Sequence, residues 1–112
     1  MVGGEVQMTE KDFVAVLDLA IEALEICNAI HQRTGALKVP LDDVVEEMGN
    51  RVTKKQIQDG FWVLVSMGII GDDGDVDHMN YDGNNELTEL LKQIRVTELE
   101  KSKKVKAENV YL

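Results

Sequence analysis

The chain has 112 residues, 44% of them apolar and 29% charged, a balance that excludes a disordered protein and leaves room for one core rather than two. Its formal net charge of −9 sets the whole molecule against polyanions, and no apolar run is long enough to cross a bilayer. The first residues lack the basic start and apolar core of a secretory signal, and the single cysteine, Cys27, has no partner for an internal disulfide, so the expected location is cytoplasmic.

The charge is unevenly spread. Residues 1–50 hold three basic and ten acidic side chains, and residues 72–90 hold seven acidic and no basic ones. Residues 51–71 (three basic, one acidic) and 91–112 (six basic, three acidic) are locally positive. A nucleic-acid contact, if there is one, belongs to these two segments.

After a polar lead over residues 1–8, Thr9 and Asp12 have the spacing of a capping box, and Met8 and Phe13 that of its hydrophobic staple. They predict a helix over 9–33, closed by Thr34-Gly35. Its polar residues Asp18, Glu22, Glu25, Asn28 and Gln32 fall on one narrow stripe, and nearly everything else is apolar. So wide an apolar face calls for cover on more than one side, which points to a homodimer joined through the first and last helices. Cys27 and His31 share a face, but no third group accompanies them, and they read as a core thiol beside a boundary histidine.

Leu37 to Val39 form a strand stub, and Pro40 suits the first turn of a helix over 40–48 carrying Leu41, Val44, Val45 and Met48 at i, i+3, i+4, i+7. Gly49-Asn50 ends it. Thr53 with Gln56, and Val52 with Ile57, mark the start of a third helix over 53–67, with Gly68 as its left-handed cap. Ile57, Phe61, Leu64 and Met67 form its core face, and Gly60 implies a close-packed neighbour. A β-hairpin over 69–81 follows, with Ile69-Ile70 as one strand and Asp75 to Tyr81 as the other. Asn85 then caps a last helix over 85–101 with Leu87, Leu90, Leu91 and Ile94 on one face, and 102–112 is a polar, basic tail.

The stretch Asp72-Asp73-Gly74-Asp75-Val76-Asp77-His78 invites a calcium reading. Counted from Asp73, however, the glycine position is His78 and the final glutamate position is Asn84, so the acids read as a solvated turn. No catalytic group, metal site or cofactor site is expected. There is no phosphate-binding glycine loop and no CxxC pair.

The order helix, strand stub, short helix, turn, longer helix, hairpin resembles the winged helix-turn-helix superfamily. The resemblance is carried by Val39-Pro40-Leu41-Asp42-Asp43-Val44-Val45-Glu46-Glu47-Met48-Gly49, by Val52-Thr53-Lys54-Lys55-Gln56-Ile57 and by Leu64-Val65-Ser66-Met67-Gly68-Ile69-Ile70. It implies a mainly α fold with a small β-hairpin, here with a long N-terminal helix and an added C-terminal one. It also implies a DNA-binding, dimeric transcriptional regulator whose third helix enters the major groove through Arg51, Lys54, Lys55 and Gln58. Two departures favour a second reading. The wing carries Asp72, Asp73, Asp75 and Asp77 where a duplex would call for cations. Trp62, Val63 and Val65 are apolar at positions commonly polar in this superfamily, as a protein-binding surface would require. The alternative is therefore an acidic winged-helix interaction module that does not bind DNA.

Overall fold

The computed structural model describes residues 10–71, 74–80 and 84–110. Four helices and two short strands follow in the order α1 (Glu10–Thr34), β1 (Lys38–Pro40), α2 (Leu41–Glu47), α3 (Lys54–Ser66), β2 (His78–Asn80) and α4 (Asn84–Val110). The lead over 1–8, the Thr9 cap, Asp72, Asp73 and Tyr81 to Gly83 lie outside the described residues, as do Tyr111 and Leu112.

The long first helix is the spine. Leu17, Ala23, Leu24 and Cys27 are fully buried along it, with Phe13, Ala20, Ile21 and Ile30 close behind. They meet Ile57 and Leu64 from α3, Val44 from α2, Met48 at its end, and Leu91 from α4. Each fully buried Leu or Ile contributes about 1.5–3 kcal/mol relative to exposure. Helix α4 runs antiparallel to α1, as the pairs Asn28–Asn85, Glu25–Lys92 and Asp18–Arg95 require. The apolar face of α1 is thus covered from two sides by its own chain, with Val14, Val16, Leu19 and Ile26 left half-buried.

Helix α3 starts where the sequence predicts. The Thr53 side chain accepts from the Gln56 N–H at 3.1 Å, and the Gln56 side chain returns a 2.7 Å bond from the Thr53 N–H. At its other end Gly68 is left-handed, with φ +74°. The Gly68 N–H reaches the Val65 carbonyl and the Ile69 N–H reaches the Leu64 carbonyl, both at 3.0 Å, which is the Schellman closure.

That closure corrects the expected wing. Because the Ile69 N–H completes the cap of α3, Ile69-Ile70 is a bend rather than a strand. The small sheet is instead β1 against β2, antiparallel, with Val39 opposite Met79. Both of these side chains are buried, while Lys38, His78 and Asn80 beside them face solvent, the period of two expected of a half-buried sheet. Two smaller corrections concern helix ends. Met67, expected in the core, is exposed beside the α3 cap. Asn85 sits inside the first turn of α4, where its side-chain oxygen accepts from Asn28 Nδ2 at 2.9 Å instead of capping. The helix also continues through residues 102–110, expected to be tail.

The neighbour of Gly60 is Leu19 of α1. A Cβ built on Gly60 would lie 3.6 Å from Leu19 Cδ2, an ordinary contact. Gly60→Ala is therefore expected to stabilise the protein by about 0.5–1 kcal/mol, because a mid-helix glycine carries an entropy cost and nothing here requires its absent side chain. Gly60→Leu should instead force α3 off α1 and cost about 1–3 kcal/mol. Urea unfolding of the two variants measures both, and a destabilised alanine variant would show that the helices approach more closely than this.

Candidate functional site

The four side chains expected to read DNA do not form one outward face. Arg51 turns back: its Nε donates to the Met48 carbonyl at 2.9 Å, closing the end of α2, and its Nη2 pairs with Glu22 of α1. Lys54 Nζ lies 2.7 Å from the Asp77 carboxylate. Gln58 Nε2 donates to the Val76 carbonyl at 2.5 Å. Lys55 stays on the surface and pairs with Asp59 one turn on, at 2.8 Å. Lys54 and Gln58 are thus brought together, on the protein's own chain; Lys55 and Arg51 look elsewhere.

This pairing is general. Among the described side chains, Arg33, Lys38, Arg51, Lys54, Lys55, Lys92, Arg95 and Lys101 each lie beside a carboxylate of the same chain. Each such surface pair contributes only about 0–1 kcal/mol to stability. Their consequence is electrostatic: positive charge is neutralised locally, and the remaining imbalance is negative.

Segment 74–78 is where several of these contacts converge. The Asp75 carboxylate accepts from the Asp77 N–H at 3.0 Å and from His78 Nδ1 at 3.2 Å, and Lys38 reaches its other oxygen at 3.4 Å. The Asp77 carbonyl in turn accepts from the Leu41 N–H at 2.9 Å. The Asp77 N–H, then His78 and Lys38, hold the Asp75 carboxyl down at about 2, below its ordinary 3.8. The hydrogen bond from Lys54 to Asp77 raises the lysine's pKa above its ordinary value, helped by the charges of Asp42 and Asp77.

The tethered segment forms one wall of a cleft of about 340 Å³. The opposite wall is a stripe of α3, Gln58, Phe61, Trp62 and Val65, at the i, i+3, i+4, i+7 spacing of a single helix face. Leu24 and Leu87 contribute from α1 and α4, and Val76 from the tethered segment. Trp62 is 58% exposed and Val76 63%, so both present apolar surface at the mouth. Of the three side chains expected at a protein interface, Trp62 and Val65 line this cleft, whereas Val63 is half-buried and does not. Sequence reasoning placed Phe61 wholly in the core and missed Val76. Only the spacing of Phe61 with Trp62 and Val65 signalled the stripe, and nothing local marked a valine inside an acidic turn.

Cys27 is fully buried, its Sγ 3.9 Å from the Met79 carbonyl, and His31 Nδ1 lies 2.8 Å from the Ala36 carbonyl. Among the described residues no group of His, Cys, Asp and Glu is placed to hold a metal ion, and no helix is long and apolar enough to cross a membrane. No family model, curated protein or solved structure matches the chain.

Two outcomes follow from this geometry. Because the folded Asp75 carboxyl is held below its unfolded value, its stabilising contribution is complete above 3.8 and is lost as pH falls through about 2. A carboxyl-carbon titration should place its midpoint near the lower value, and a midpoint at the ordinary value would mean that segment 74–78 is not tethered. The Cys27 thiol should resist an aromatic disulfide reagent in the native protein and react fully once the chain is unfolded; fast native labelling would contradict its burial.

Proposed function

We propose that this chain is an acidic interaction module of winged helix-turn-helix type, which binds a positively charged protein partner rather than duplex DNA. The element order helix, strand, short helix, helix, strand, helix supports the winged-helix resemblance, with the first wing strand given up to the cap of α3. The observation that carries the functional reading is the fate of Arg51, Lys54, Lys55 and Gln58, each held by a carboxylate or carbonyl of its own chain. A duplex gains affinity mainly by exchanging condensed counterions for protein cations. Here those cations are already paired, and the chain as a whole carries −9. The exposed apolar surface lies along the same helix, one face over, at Trp62 and Val65.

Fluorescence anisotropy with mixed-sequence duplex DNA, at low and then moderate salt, tests this directly. The expected result is no saturable binding at either salt. Saturable binding that weakens steeply with salt, and weakens further in Lys54→Ala and Lys55→Ala, would restore the duplex-reading function and overturn the module.

A further inference from the structure

We infer that the cleft between α3 and segment 74–78 binds a short protein segment that inserts a bulky apolar side chain against Trp62 and flanks it with lysine or arginine. This deepens the interaction-module reading and rests on it. The cleft volume of about 340 Å³ is at the lower end of the range for specific pockets, enough for an anchoring side chain and not for a whole helix. Its apolar walls, Phe61, Trp62 and Val65 on one side and Val76 on the other, fit an aliphatic or aromatic anchor.

Charge complementarity identifies the flanks. Asp75 lines the cleft, and Asp77 lies two residues further along the same segment. The cations that reach the described part of this turn are Lys38, Lys54 and, when protonated, His78. Asp75 and Asp77 are matched by these two lysines, so the excess of negative charge around the apolar opening comes from the chain as a whole, which carries −9. Asp42, whose field is felt at Lys54, adds a further negative charge nearby. An acidic segment would be repelled by this excess, whereas lysine or arginine on either side of the anchor would steer the segment in and fix its register.

The probe is a displayed library of short random peptides, selected on the immobilised full chain. Selected peptides are then titrated against the protein while its intrinsic fluorescence is followed. Trp62 is the only tryptophan in the chain, so its emission reports on the cleft without a label. The expected result is enrichment of peptides with one bulky apolar residue among lysines or arginines, and a saturable blue shift as Trp62 leaves water. Replacing the anchor by serine, or the flanking cations by glutamate, should weaken binding about tenfold or more. Trp62→Ala and Val76→Asp, both at exposed positions, should do the same when binding is followed by calorimetry.

No enrichment, enrichment of acidic sequences, or undiminished binding to both variants would each overturn the inference. Peptides whose affinity ignores the serine replacement would also overturn it, since they would be held by charge alone. None of these outcomes alters the duplex titration, so loss of the cleft assignment stays distinct from loss of the interaction module.

Discussion

Everything in this molecule is arranged around the burial of one helix. Helix α1 is apolar over most of its circumference, and an apolar surface of that width must be taken from water on more than one side. The chain supplies both covers itself: α3 packs close at Gly60, opposite Leu19, and α4 lies antiparallel along the helix. What remains between them is the polar stripe, and it too is used. Asp18 pairs with Arg95, Glu22 with Arg51, Glu25 with Lys92, and Asn28 donates to Asn85. The acids of α1 are thus matched within a single chain by Arg51 and by the first basic residues of α4.

That arrangement decides what α3 can do. One stripe of the helix, Ile57, Gly60 and Leu64, is committed to the core. Its first two turns are committed to segment 74–78 through Lys54 and Gln58. The stripe left over is Phe61, Trp62 and Val65, which is apolar. A polar end that is already engaged and an exposed face that is apolar are the two features on which the proposed protein-binding role rests. Weak as each ion pair is, together they move the available charge from positive to negative, and partner choice depends on that sign more than on the energy of any one pair.

Much of the framework was legible in the residues, because it rests on short-range chemistry. The capping box at Thr53 and Gln56 and the Gly68 cap are local devices, and both stand where their spacing predicts. The register of apolar residues located Leu17, Leu24, Val44, Ile57, Leu64 and Leu91 in the core for the same reason. What escaped reading was non-local. Whether Ile69 would join a strand depended on whether its N–H was free, and the Schellman bond to Leu64 had already used it. The partners of Arg51, Lys54 and Gln58 lie on α1 or on the turn before β2, far off in sequence, so spacing along α3 could not name them. The cleft was legible only in half: Trp62 and Val65 announced themselves as misplaced apolar residues, while Val76 gained meaning only when the turn folded back.

The contact between Lys54 and Asp77 joins fold to function most directly. The amino-terminal end of a helix attracts anions, through its unpaired N–H groups and the helix dipole, and a lysine in the first turn strengthens that attraction. In a duplex-reading helix, a phosphate would take advantage of it. Here the chain presents its own carboxylate at 2.7 Å from Lys54, on a segment also anchored by Gln58, Lys38 and the Leu41 N–H. A phosphate would have to displace a tethered anion that is present at high effective concentration, and would then face the Asp75 carboxylate beside it. On the proposed reading, a cationic segment is instead drawn by the net charge of −9, and the apolar cleft beside these carboxylates gives it somewhere to anchor.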